Sequence, residues 1–210
     1  MSKRFIIIIA ILFLGFVGFL VFNKDKSNAP GGNNSSQATN HVIGAGKKGV
    51  TLVEYGDFQC SACYAYYPVL KDIKKKYGDD ITFQFRNFPL TQIHQNAFAA
   101  HRAAEAAAKQ NKFWEMHDLL YEQQRTWSTS SNVMRIFEDY ATQLGLNIDT
   151  FKKDYASSEV SAIINADIDA GNKFNINSTP SFVINGKKID NPKDVTVEGF
   201  SKVIDSYIKN

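Results

Sequence analysis

The chain has 210 residues, 24 Lys and Arg against 21 Asp and Glu, and a formal net charge of +3. Four basic residues and one acidic residue precede position 47 and 20 of each follow it, so the excess belongs to the N-terminal region. The neutral body of 164 residues suffices for one well-cored domain and lacks the basic face that nucleic-acid binding needs.

Residues 5–22 are 18 consecutive apolar residues, preceded by Lys3 and Arg4 and followed by Lys24, a length that spans a bilayer. A secretory signal would be shorter and end in a small-x-small cleavage site. Val21 and Phe22 are too bulky for one, and Pro30 blocks cleavage after Ser27-Asn28-Ala29. The reading is an uncleaved transmembrane anchor over residues 1–23, with Lys3 and Arg4 on the cytoplasmic side and the rest extracytoplasmic, in the cell membrane as a single pass. A buried core helix is the bland alternative, and the basic terminus argues against it. Residues 24–46, rich in Gly, Ser and Asn, read as a flexible linker, leaving one domain over 47–210.

Residues 51–55 form a short β-prone run ending at Gly56, and Ile81, Phe83 and Phe85 alternate with polar residues in a second strand. Between them Cys63, Tyr67, Leu70, Ile73 and Tyr77 recur at helical spacing, with Pro68 inside the helix, where it removes one donor and should kink it. Cys60-Ser61-Ala62-Cys63 opens this helix and holds the only two cysteines of the chain. The periodicity turns Cys63 toward the core and leaves Cys60 at an exposed first turn, where unpaired N–H groups favour the thiolate. Such a pair could be half of a zinc site, but a closed site needs two further Cys or His ligands, and His41, His94, His101 and His117 show no matching pairing. A purely structural bridge would close too short a loop to remove much chain entropy. Redox chemistry, with no metal and no cofactor, is the reading that remains.

The segment from Glu54 through Gly56, Phe58 and Cys60 to Cys63 resembles the strand-loop-helix active site of the DsbA-like branch of the thioredoxin superfamily. Phe85-Arg86-Asn87-Phe88-Pro89-Leu90, the alanine-rich residues 97–108, residues 113–120 and Ser178-Thr179-Pro180-Ser181-Phe182 resemble later blocks of the same family, in order, over residues 50–208. The resemblance implies an α/β thioredoxin-like fold with a helical insertion at about 91–157. The 116 residues between Cys63 and Pro180 are too many for a plain thioredoxin, and helix signals fill them: 95–110, 113–121, 132–144, 148–156 and 159–173. His94, His101 and His117 would then be ordinary helix residues. A strand at 181–184, a turn at Asn185-Gly186 and a last helix over 197–208 complete the chain.

By the same resemblance Pro180 is the cis-proline facing the cysteines, and the backbone of Thr179 pairs with the bound client. Glu54 matches the position where DsbA-like proteins keep a carboxylate near the cysteines; its bland reading is an exposed strand residue. The implied activity is a thiol:disulfide oxidoreductase that introduces disulfides into secreted or cell-surface proteins and is reoxidised by a membrane quinone-linked partner of the DsbB or vitamin-K-reductase type. Ser61 and Ala62 replace the proline and histidine frequent between such cysteines, so a reductase or isomerase stays open, as does a tethered binding or chaperone module on the same fold. Without a histidine at position 62, helix-terminus effects and first-turn donors place the Cys60 pKa at about 5.5 to 7.

Overall fold

The computed structural model describes residues 37–208, within a compact unit spanning Ser35–Asn210. The expected anchor and the first part of the linker lie outside these residues. Among the described residues no helix is long and apolar enough to cross a membrane.

The chain enters through β1 (His41–Ile43), followed by β2 (Val50–Gly56). The crossover helix α1 (Ser61–Tyr77) and a 3-10 turn at Gly78–Asp80 then lead to β3 (Ile81–Asn87). β2 and β3 pair in parallel, with Leu52 beside Phe83 and Glu54 beside Phe85, the arrangement a helical crossover permits. After a run of helices, β4 (Ser181–Ile184) returns antiparallel to β2 and turns at Asn185-Gly186 into β5 (Lys187–Ile189). Both turn residues have positive φ, as the tight hairpin requires. The sheet order is β1-β3-β2-β4-β5.

The linker reading fails at its C-terminal end. His41–Ile43 pairs antiparallel with residues 83–85 of β3, and Thr39 donates from both its N–H and its hydroxyl to Asp167. Ordered structure therefore begins several residues before position 47. Gly44, at φ 85°, makes the exit from β1 possible, because a Cβ there would meet the carbonyls of Ile81 and Gly78.

Between β3 and β4 come α2 (Ala97–Ala108), α3 (Phe113–Glu122), α4 (Gln124–Trp127), α5 (Val133–Gln143), α6 (Ile148–Ala156) and α7 (Ser158–Asn172). The first five form the insertion, whereas α7 packs back on β3 and α8 (Val197–Ile208) packs on α1. α2 buries Ala100, Ala103, Ala104, Ala106 and Ala107 completely, so its neighbours approach closely, and Trp127, Phe137 and Phe151 fill the space around it. A second cluster joins Val50, Leu52 and Phe182 of the sheet to Leu70 and Ile73 of α1 and to Phe200 and Ile204 of α8. Each such aliphatic side chain stabilises the fold by about 2 kcal/mol. Tyr55 and Val183 face the other way, toward Phe88 and Ile176.

Candidate active site

Residues 57–60 leave β2, and Cys60 caps α1 in extended geometry, φ −69° and ψ 125°. The Cys60 N–H donates to Asp57 O at 3.1 Å, and Cys60 O takes the first helical bond from Tyr64 N at 3.1 Å. No acidic side chain occupies the first turn of α1 to oppose a thiolate there. Cys63 is fully buried, as its place in the apolar stripe requires, and its sulfur accepts from Asp57 N at 3.5 Å. Cys60 is more enclosed than the exposed first turn expected from periodicity: 7% of its surface is accessible. The covering comes from another part of the chain. Thr179 O lies 3.3 Å from the Cys60 sulfur and accepts from its thiol.

Thr179-Pro180 is a cis peptide. Its placement beside the cysteines follows from β4 pairing with β2, which sets Ser181 opposite Tyr55 at the same end of the sheet. The Pro180 carbonyl is held by Asn191 Nδ2 at 2.8 Å. Ser61 and Ala62 both face solvent.

The two thiols are driven apart in acidity. The Cys63 thiol, donating to the Cys60 sulfur, is the largest influence that pulls Cys60 down, to about 5; burial opposes it, and the Thr179 hydroxyl and the N–H groups of Cys63 and Ala62 assist. That lies at the acid end of the range expected from sequence. Thr179 Oγ1 is buried and has no hydrogen-bond partner among the described residues. Burial, then the bond to Cys60, pushes the Cys63 thiol well up.

Glu54 is not an exposed strand residue: it is 2% accessible and shares the inward face of β2 with Val50 and Leu52. Burial pushes its carboxyl up to about 8; Lys74 on α1 pulls it back, and Cys60 adds to the rise. Lys74 is pulled down by its own burial and lies over the rings of Trp114 and Phe83 at 4.8 and 4.9 Å. The arrangement is an acid that holds its proton near neutral pH beside a buried thiol that must gain and lose one.

Several neighbours of the cysteines carry no sequence signal that singles them out. Asp57, fully buried, accepts from Gln59 N at 2.7 Å, Leu90 N at 2.8 Å and His94 Nδ1 at 2.7 Å. His94 is thus a loop residue rather than a helical one, because Leu90 O takes the N–H groups of Ile93 and His94 and closes a turn before α2 starts. His101 and His117 do lie in helices, fully or almost fully buried, and burial drops both to about 4. Gln124 reaches from α4 to the carbonyls on either side of Gln59.

Residues 36–206 match the family described as Thioredoxin. The chain belongs to the thioredoxin family. Over 96% of its length it is 29% identical to the probable disulfide bond formation protein D of Bacillus cereus, covering 93% of that protein. It superposes on oxidised BdbD of Bacillus subtilis with a TM-score of 0.68 and 25% identity, over 80% of this chain and 92% of that one. It is also 36% identical over 158 residues, 73% of this chain, to the Na(+)/H(+) antiporter NhaA 1 of Mycolicibacterium gilvum. The chain spans only 24% of that antiporter's length. Thioredoxin fold, helical insertion and paired cysteines together give this chain the architecture of DsbA-like proteins.

Proposed function

We propose that this protein is a thiol:disulfide oxidoreductase that introduces disulfides into secreted or cell-surface proteins through Cys60 and Cys63. The observation that carries the reading is the division of the pair: a Cys60 sulfur held near pKa 5 at a helix start, against a buried Cys63 whose thiol is held protonated. A thiolate on the client attacks the Cys60 sulfur of the oxidised pair, the Cys60–Cys63 bond breaks, and Cys63 leaves and takes up a proton, with Glu54 placed to supply it. The client's second thiolate then attacks its own sulfur in the mixed disulfide. Cys60 leaves as the stabilised thiolate, and two electrons have passed from client to enzyme. Thr179 O, 3.3 Å from the reacting sulfur, and Pro180 after it would bind the client, the carbonyl pairing with an N–H of its extended chain.

The leaving-group argument favours the oxidising direction, because a thiolate stabilised in the reduced enzyme drives exchange toward it. Ser61 and Ala62 offer no histidine-like donor, which places the potential between about −270 mV, as in thioredoxin, and about −120 mV, as in DsbA. A reductase or isomerase is the second reading, supported by those same two residues. In the proposal residues 5–22 hold the protein in the membrane with its domain outside, and a membrane quinone-linked oxidase of the DsbB or vitamin-K-reductase type restores the disulfide.

The test uses the full chain. Cys63→Ser should accumulate mixed disulfides with clients in the membrane fraction, released by protease added from outside, whereas Cys60→Ser should trap few or none. Equal trapping by both variants would sink the division of labour, and recovery of the adducts in a soluble fraction would sink the anchor.

A further inference from the structure

The loop that presents Cys60 is tied to the helical insertion by side-chain amides rather than by apolar packing alone. Gln124 Nε2, buried on α4, donates to Phe58 O at 2.7 Å and to Cys60 O at 3.0 Å. The same stretch of the insertion receives Gln59 Nε2 on Ser128 O at 2.9 Å, and Asn96 Nδ2 on that carbonyl at 3.1 Å. Asn96 N in turn donates to Gln59 Oε1 at 2.7 Å.

These bonds have consequences for the thiolate. Cys60 O belongs to the peptide that joins Cys60 to Ser61, so a donor on that oxygen fixes the plane from which the first-turn N–H groups of α1 fan out toward the sulfur. Phe58 is fully buried, and among the described residues Gln124 is the donor to its carbonyl. A buried carbonyl left without a donor is costly, so the loop would rotate to find one. A donor on each oxygen also offsets carbonyl negative charge close to a developing anion.

We propose that Gln124 is a positioning residue for Cys60, through which the seating of the helical insertion sets the stability of the nucleophilic thiolate. The inference rests on the thiol chemistry proposed above only for its use; its geometry stands without a client. The titratable groups that face this sulfur are Cys63 on α1, Glu54 on β2 and Tyr121 on α3. Gln124 is uncharged, so replacing it changes none of these charges.

Thiolate absorbance of the reduced, full-length protein, followed against pH, provides the test. Gln124→Met keeps the length of the side chain and removes both donors. It should raise the Cys60 pKa by about half a unit to one unit, a three- to tenfold loss of thiolate at a fixed pH below the midpoint. Gln124→Asn retains an amide on a stem too short to reach both carbonyls, and should give a smaller rise of the same sign, which keeps the idea testable if the Met variant does not fold. Phe137→Leu is the control: Phe137 packs against Trp127, 5.6 Å between ring centroids, and makes no hydrogen bond to the loop's carbonyls. It should lower the unfolding midpoint and leave the Cys60 pKa where it was. A wild-type pKa in both Gln124 variants, or an equal shift in Phe137→Leu, overturns the assignment. Failure of the wild-type protein to exchange with any client would overturn the proposed function instead, because the pKa is read with no client present.

Discussion

The thioredoxin half and the helical insertion hold the same four residues, 57–60, by different means. β2, α1 and the Thr179-Pro180 segment approach with main chain: Cys60 N on Asp57 O, Tyr64 N on Cys60 O, Thr179 O against the sulfur. The insertion approaches with side chains, Gln124 and Asn96 above all, and Gln59 reaches back to it. Main-chain contacts survive almost any substitution that leaves the fold intact, whereas a side-chain amide is lost with one. The chemistry is therefore fixed by the first half and open to tuning through the second. The seam between them is polar as well: Asn87 Nδ2 donates both to Asp167 of α7 and to Glu105 of α2, and Glu105 also bonds His41 of β1.

The comparison breaks most severely if the insertion is an independent lobe. Trp127 is fully buried, packs on Phe137 and donates from Nε1 to Leu120 O at 2.8 Å. Trp127→Ala should cost about 3 to 5 kcal/mol through the cavity and the unsatisfied carbonyl. Because Phe58 and Phe85 of the sheet side sit in the same apolar cluster as Trp127, the loss should shift one cooperative urea transition without changing its slope. Two separated transitions would show that the lobes unfold independently.

How much of this the sequence discloses depends on where each element draws its stability. β2, β3 and α1 carry their own apolar period, so they are legible, and so is the buried side of α1 that takes Cys63. β1 is three residues in a polar stretch, held by register against β3 and by Thr39 on Asp167, neither of which leaves a local pattern. The burial of Glu54 was within reach: Val50, Leu52 and Glu54 alternate on one face, and the strand period places the acid inside with the other two. Gln124 was not, because a glutamine in a four-residue helix looks the same whether it faces water or two buried carbonyls.

Glu54 sharpens the thioredoxin side of the comparison through pH. A carboxyl raised from 4.5 to about 8 in the folded protein keeps its proton to higher pH than in the unfolded chain. Folding then takes up a proton between those values, so the stability it contributes is whole below about 4.5 and is lost as pH rises toward about 8. Cys60 works with the opposite sign. Its folded-state pKa is depressed to about 5, so its contribution to the reduced protein is present at alkaline pH and is lost as pH falls through about 5. Glu54→Gln removes the first effect and leaves the second, and Lys74 keeps Asp118 as a neighbouring charge. The reduced variant should match wild type in slope below pH 4.5 and gain on it as pH rises, by about 3 kcal/mol at pH 7. Urea midpoints across this range measure the difference. A constant gap between the two proteins from pH 4 to 8 would mean that Glu54 titrates alike folded and unfolded.

The smallest effect concerns the seam. Thr39→Val removes the hydroxyl that donates to Asp167 Oδ2 at 2.7 Å, yet Asp167 keeps Thr39 N, Arg86 NH1, Asn87 N and Asn87 Nδ2 as donors. With four donors retained, the loss should be about 1 kcal/mol, below the usual range for bonds to a charged group. Its global signature is therefore slight, and its local one should be larger: β1 has only three residues of pairing, and the bond removed lies just before it in the chain. Amide hydrogen exchange at positions 41–43 should quicken several-fold more than exchange in β2. Unchanged exchange there would show that pairing with β3 holds the entering chain by itself, and that the Asp167 cluster joins α7 to β3 without reaching the N-terminal segment.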